Sequence, residues 1–225
     1  DHCNDHGAFL DRVTMTNLCT EITFPTTPIN HIDDSNGEIG ICILSALNLL
    51  EIKDDTDLIN TCDIIVRMLD ELISYQDWFT PAAKNFIEGR RALGVGVTNL
   101  AALLAKNNIK YTDTEAPNFV DEWFEKIQYH LLSASCSLAE EKGKCEKFHL
   151  TKYSKGILPI DTYKTKVDQV VTRKPSLDWE TLRARILKYG LRNSTQTAQM
   201  PVESCQTLDT KIQTPDRKST RLNSS

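Results

Sequence analysis

The sequence predicts a helix-rich α/β fold. Three observations carry that prediction: a short segment without helical period at 17–24, an apolar run behind a turn signal at 39–50, and four later stretches with apolar residues at helical spacing. In the first segment, Leu18, Ile22 and Phe24 alternate with the β-branched Thr20 and Thr23, which favours extended backbone, and Pro25 and Pro28 interrupt it. Asn36-Gly37 marks a turn. The run from Ile39 to Leu50 fits a buried strand or a buried helix equally well, because periodicity does not separate the two. From Asp57 to Tyr75 the residues Leu58, Ile65, Leu69, Leu72 and Ile73 share a helical face, and Leu100, Leu103 and Leu104 begin a second helix. Phe124, Ile127, Leu131 and Leu138 define a third, with Asp113 or Thr114 as its cap, Pro117 in its first turn and Gly143 as its stop. Asp178 to Tyr189 reads as a fourth, closed by Gly190 in the left-handed helical conformation. No internal repeat or low-complexity run is evident.

Composition bounds the class. With 225 residues, 40% hydrophobic and 25% charged, the chain resembles one soluble domain of ordinary or slightly large size. No stretch approaches the roughly 20 apolar residues that a bilayer crossing requires. The balance of 26 basic to 31 acidic residues, net −5, argues against a broad electrostatic grip on nucleic acid, although single phosphates can still be held locally. Seven cysteines are an odd number, none of them in a C-x-x-C pair, and no secretory leader precedes them. A reducing, cytoplasmic setting is therefore expected rather than a disulfide scaffold or zinc ribbon. The opening Asp1-His2-Cys3-Asn4 lacks a Met, as an internal fragment would. The last ten residues, Asp216 to Ser225, resemble a translated sequencing-adapter oligonucleotide; a polar tail is the alternative, and either reading removes 216–225 from the core.

Chemistry concentrates at Asn17-Leu18-Cys19-Thr20-Glu21. In an extended backbone, positions i, i+2 and i+4 face the same way, so an amide, a thiol and a carboxylate would project together. An acidic neighbour disfavours a thiolate by like-charge repulsion, which points away from a protease-type nucleophile and toward chemistry of the neutral S–H, such as hydrogen-atom transfer. By spacing alone, a small hydrophobic Cys flanked by solvated polar residues is the better reading.

The rest of the chain is more specific. Asn17-Leu18-Cys19-x-Glu21, Asn36-Gly37-Glu38-Ile39-Gly40-Ile41-Cys42, Gly89-Arg90-Arg91-x-Leu93-Gly94-Val95-Gly96, Gly156-Ile157-Leu158-Pro159-Ile160-Asp161-Thr162-Tyr163, Gly190-Leu191-Arg192-Asn193-Ser194-Thr195 and Met200-Pro201-x-Glu203-Ser204 follow one another in order. This series resembles the large, catalytic subunit of class I ribonucleotide reductase over nearly all of residues 1–204. The resemblance implies part of a ten-stranded α/β barrel, with the Cys19 segment on a loop through its centre. It implies that Cys19 carries a transient thiyl radical that removes the substrate's 3′ hydrogen, that Glu21 takes the 3′-hydroxyl proton, and that Asn17 hydrogen-bonds within the same site. Cys42 would be one half of a redox pair whose partner lies upstream of Asp1. By composition alone, Cys42 is a core thiol.

The same resemblance implies that Pro201, Glu203, Ser204 and the following Cys205 form the turn that binds substrate phosphates. Val202 departs from the family, where a small hydroxyl residue is common, so one side-chain contact is in question. After Ser204 the likeness ends by inspection, and Cys205-Gln206-Thr207-Leu208-Asp209-Thr210-Lys211-Ile212-Gln213-Thr214-Pro215 resembles the first block of an intein, with Cys205 as the splicing nucleophile. The alternative is a divergent reductase in which Cys205 replaces a hydroxyl residue. The expected organisation is thus a partial catalytic barrel at 1–204, an intein start at 205–215 and an artefactual tail at 216–225.

The implied activity of the whole enzyme is reduction of ribonucleoside diphosphates to deoxyribonucleotides. The fragment would bind no cofactor or metal of its own. A small subunit with a dinuclear metal site would supply the radical, and thioredoxin or glutaredoxin the electrons. The large subunit would form a homodimer, and nucleotide effectors would bind largely outside the fragment. Two other readings stand beside this: an N-terminal extein whose own activity is protein splicing, and an adenosylcobalamin-dependent reductase. Weaker features have simpler explanations. Gly94-x-Gly96 lacks the third glycine and the context of a dinucleotide fingerprint and reads as close packing. His2, Cys3 and His6 have no further metal ligands in view, Cys62, Cys136 and Cys145 read as core or surface thiols, and Trp78, Trp123 and Trp179 as packing residues.

Overall fold

A computed structural model describes residues 2–202. Its centre is a parallel pair formed by β3 (Ile43–Asn48) and β4 (Leu93–Thr98), in register from Ile43↔Leu93 to Asn48↔Thr98. Between them in sequence run the helices α2 (Asp55–Tyr75) and α3 (Pro81–Arg90). The segment 195–198 extends the sheet on the far side of β4. It bridges Val95 to Thr197 in parallel, with Val95 N donating to Gln196 O at 2.8 Å and Ala198 N to Val95 O at 3.2 Å. The ambiguous run at 39–50 therefore contains a strand, Ile43–Asn48, which buries Leu47 and leaves Leu44 41% exposed.

The remaining elements are α1 (His2–His6), β1 (Met15–Thr16), β2 (Thr23–Phe24), α4 (Leu100–Lys106), α5 (Ala116–Lys142), α6 (Pro159–Thr162) and α7 (Trp179–Tyr189), with short 3₁₀ turns between α5 and α7. The four expected helices are all present. α2 begins earlier than its apolar period because Asp54 caps it, accepting from Asp57 N at 2.9 Å. Asp178 caps α7 in the same way through Thr181 N. The cap of α5 differs from expectation: Glu115 occupies that position without a side-chain bond. Asp113 instead closes the preceding turn, accepting from Lys110 N at 2.8 Å through its carboxylate. Gly190 also departs from the left-handed helical stop. Its φ of 81° and ψ of −165° lie in a region essentially restricted to glycine, and a Cβ there would fall 2.7 Å from Lys144 Cβ.

The sequence reading missed the short α1 and α6 and two longer elements, α3 and β4. In α3 the buried residues are mainly Ala82, Ala83, Phe86 and Ile87, half of them too small to mark a period. In β4 two glycines dilute the strand signal. Both glycines are there for close approach: a Cβ on Gly94 would meet Ala198 Cβ at 2.9 Å, and one on Gly96 would meet Ala198 O at 2.6 Å and Met200 Sδ at 2.8 Å. The close-packing reading therefore holds. A helix does follow β4, so strand-turn-helix order is present after all, but the glycines lie inside the strand rather than in the turn.

Two apolar cores meet along α5. The larger collects Leu58, Cys62, Val66, Leu69 and Ile73 of α2 with Leu93, Val95, Ile127 and Leu131; the smaller holds Leu132, Cys136, Cys145, Tyr153, Trp179 and Ile186. Cys62, Cys136 and Cys145 are thus all core thiols. Trp179 is buried with its Nε1 donating to Glu125 Oε1 at 3.0 Å, and Trp78 and Trp123 pack partly buried against the larger core. A buried polar node ties these layers to the third strand. Asp70 of α2 accepts from Arg91 Nε at 2.5 Å, Asn193 Nδ2 at 3.1 Å and Arg192 Nε at 3.2 Å, while Asn193 N donates to Ser135 Oγ of α5 at 3.0 Å. Among the described residues the strands form two two-stranded sheets and no closed barrel.

Candidate active site

The segment expected to be extended at 17–24 is a hairpin. β1 and β2 pair antiparallel, Met15 with Phe24 and Thr16 with Thr23, and residues 17–22 form the connecting loop. The physical reason is local competition for hydrogen bonds. Asn17 Oδ1 accepts from Ile22 N at 3.2 Å, Asn17 N donates to Ile22 O at 3.2 Å, and Thr20 N donates to Asn17 O at 3.1 Å. Thr20 accordingly takes a left-handed φ of 63°. The strand argument for a shared face of Asn17, Cys19 and Glu21 therefore fails, and a loop holds them instead. Asn17 closes its base, Leu18 stands 98% exposed at its tip, and Cys19 is exposed beside it.

Glu21 turns back toward the body of the protein. It lines a hollow of about 390 Å³ together with Phe124, Ile127 and Gln128 of α5 and Thr197 and Gln199. It also lines a second hollow of about 240 Å³, with Thr23, Gln128, Tyr153, Thr195 and Gln196. Its Oε2 is buried and has no hydrogen-bond partner among the described residues. Thr197 Oγ1 donates to Gln128 Oε1 at 3.1 Å, which orients the amide at the wall shared by both hollows.

Cys42 sits half-buried against the larger core, one residue before β3. Burial first, and the charge of Glu21 second, push its thiol up to about 11, so it is a neutral S–H at physiological pH. The like-charge effect expected between Glu21 and a thiol is thus felt at Cys42. The approach of the two segments is visible at Gly40, where a Cβ would lie 2.9 Å from Phe24 Cδ2 and 3.2 Å from Met15 Sδ. A side chain there would force the hairpin away from the Cys42 strand.

Farther down the same segment, Glu38 accepts from the fully buried Arg90, which also pairs with Asp11 at 2.6 Å. Burial raises the Glu38 carboxyl, but bonds from Arg90 and Lys147 outweigh it and hold it below the usual range. Arg90 lies over the rings of Phe9 and Phe86 at 5.5 and 5.4 Å, so the 36–42 segment is clamped to α3.

Pro201 and Val202 follow the 195–198 strand, Pro201 exposed and Val202 half-buried. Glu203, Ser204, Cys205, the intein-like run and the tail lie outside the described residues, as do the side chains of His2 and Cys3. His6 hydrogen-bonds the carbonyl of Thr162 through Nδ1. No group of three or more His, Cys, Asp or Glu among the described residues is arranged to hold a metal, and no helix among them is long and apolar enough to cross a membrane. The sequence reading missed Gln128, Gln196, Thr197 and Gln199. Three of these fall between the two last family-like motifs, and Gln128 sits on a helix whose apolar face drew all the attention.

The family model described as "Ribonucleotide reductase, barrel domain" matches residues 1–214. The chain belongs to the ribonucleotide reductase barrel-domain family. Its relatives include the ribonucleoside-diphosphate reductase subunit alpha of Buchnera aphidicola subsp. Schizaphis graminum, 51% identical over 207 residues. The ribonucleoside-diphosphate reductase 1 subunit alpha of Escherichia coli K12 is 49% identical over 207 residues, and the ribonucleoside-diphosphate reductase subunit alpha of Enterobacteria phage T4 is 42% identical over 209. In each case the match covers 91% of this chain and 27% of the relative, so the chain spans about a quarter of their length. Mixed α/β content with an unclosed sheet is what a portion of that barrel presents.

Proposed function

We propose that this chain is the thiyl-bearing portion of a class I ribonucleoside-diphosphate reductase large subunit, acting on ribonucleoside diphosphates to give 2′-deoxyribonucleotides. The observation that carries the reading is Glu21: a buried, unpartnered carboxylate oxygen two residues from an exposed thiol, at the wall of a hollow and close enough to Cys42 for its charge to act there. In this reading Cys19 removes the 3′ hydrogen as a thiyl radical, and Glu21 accepts the 3′-hydroxyl proton. Cys42 and a cysteine outside this chain give up two electrons as the 2′-hydroxyl leaves as water, and become a disulfide. Asn17 serves by closing the loop that presents Cys19. A small subunit with a dinuclear metal site supplies the radical, and thioredoxin or glutaredoxin restores the dithiol. The full large subunit would be homodimeric and cytoplasmic, with nucleotide effectors binding mainly elsewhere.

Pro201, Glu203 and Ser204 would bind the substrate's phosphates, and Cys205 would join them only where no intein begins at that residue. We further propose domain limits at 204 and 215, with an intein start at Cys205 and an adapter-derived tail. The family match continues to residue 214, so the same residues are also accommodated by the barrel domain. Sequencing past Pro215 separates the cases: intein blocks downstream support the boundary, and continuing reductase sequence removes it. The central test is Cys19→Ser in the reconstituted full-length enzyme. Turnover is expected to fall to background with nucleotide binding retained, and near-normal turnover would overturn the reading.

A further inference from the structure

A residue lining the smaller hollow behind Glu21 carries a second orphaned acceptor. Gln196 is 1% exposed, and its Nε2 donates to Asn193 O at 2.7 Å, which fixes the amide so that Oε1 is left to accept. That oxygen has no partner among the described residues, and neither has Glu21 Oε2, although both residues line the same hollow of about 240 Å³. Buried acceptors are costly unless a donor reaches them, and two acceptors cannot satisfy each other. One water has two hydrogens to give, and the hollow is polar and roomy enough for it.

We propose that an ordered water in this hollow donates to Glu21 Oε2 and Gln196 Oε1, making Gln196 a positioning residue that holds Glu21 in its proton-accepting orientation. The inference rests on the reading of Glu21 as the proton acceptor. Gln196 does not touch substrate in this arrangement; it acts on the carboxylate through the water. Its anchorage runs through Asn193 to the buried Asp70 node, so the orientation of Glu21 is tied to the register of the 195–198 strand.

The test uses the full-length enzyme with its small subunit. Gln196→Met keeps the volume and removes the acceptor, together with the bond to Asn193 O. It is expected to lower kcat about five- to tenfold, the worth of one neutral hydrogen bond, with KM for the nucleotide unchanged. A crystal structure of the unaltered enzyme should show a water within hydrogen-bond distance of both oxygens, absent from Gln196→Met. No water there in the unaltered enzyme, or a kcat unchanged in the variant, would overturn the proposal, and the first measurement does not depend on how well the variant folds. Glu21→Gln distinguishes the two levels. If it turns over normally, the proton-acceptor reading falls and takes this inference with it; if it is inactive while Gln196→Met is normal, only the water bridge falls.

Discussion

The carboxylate of Glu21 acts electrostatically on the thiol of Cys42. Burial is the larger cause of the thiol's rise to about 11, and Glu21 adds to it. Removing that charge in Glu21→Gln should therefore bring the thiol down, and every unit of fall multiplies its thiolate fraction at a fixed lower pH about tenfold. In a Cys19→Ser background, alkylation of Cys42 at pH 8.5 should be several-fold faster in Glu21→Gln than with Glu21 present; equal rates would mean that the charge does not reach the sulfur. Cys42→Ser should block net reduction while leaving the first hydrogen abstraction intact, visible as substrate-dependent radical loss without deoxynucleotide product. Ordered motifs singled these residues out as candidates, but their geometry was not legible in them. Asn17 spends its side chain on Ile22 N, and that single bond turns an apparent strand into a loop.

Elements were legible where large apolar residues recur at helical spacing. α2 and α5, with 21 and 27 residues, repeat their faces often enough to stand out, whereas α3 buries alanines and β4 carries glycines for reasons that lie in other parts of the chain. The glycines of β4 make sense only once Ala198 and Met200 are seen across them. Gly96→Ala should thus push the 195–200 segment outward, costing about 1–3 kcal/mol as overpacking does. A lower urea midpoint with an unchanged denaturant slope checks this. The node beneath it is more sensitive still. Asp70→Ala leaves Arg91, 6% exposed, without its buried carboxylate partner, and a loss of about 3–5 kcal/mol is expected. If Asp70→Ala unfolds at the unaltered midpoint, the node is not what holds the third strand.

At the scale of the whole molecule, the question is whether two cores on one long helix behave as one. Each contains a thiol that burial pushes up to about 12: Cys62 at 0% exposure in the larger core, Cys145 at 2% in the smaller. Burial also pushes up the phenol of Tyr153, which shares the smaller core with Cys145. The sign follows from proton binding. A thiol that holds its proton more tightly when folded than free contributes fully below the free value of about 8.5, and that contribution is lost as pH rises toward about 12. α5 joins the cores through Ile127 and Leu131 on one side and Leu132 and Cys136 on the other, too few residues apart for one to open while the other stays packed. Unfolding followed at Trp179, in the smaller core, should therefore become less alkali-sensitive in Cys62→Ala, although that substitution lies in the larger one. A Trp179 transition whose pH dependence ignores Cys62→Ala would show two independent units, with α5 a hinge between them rather than a shared spine.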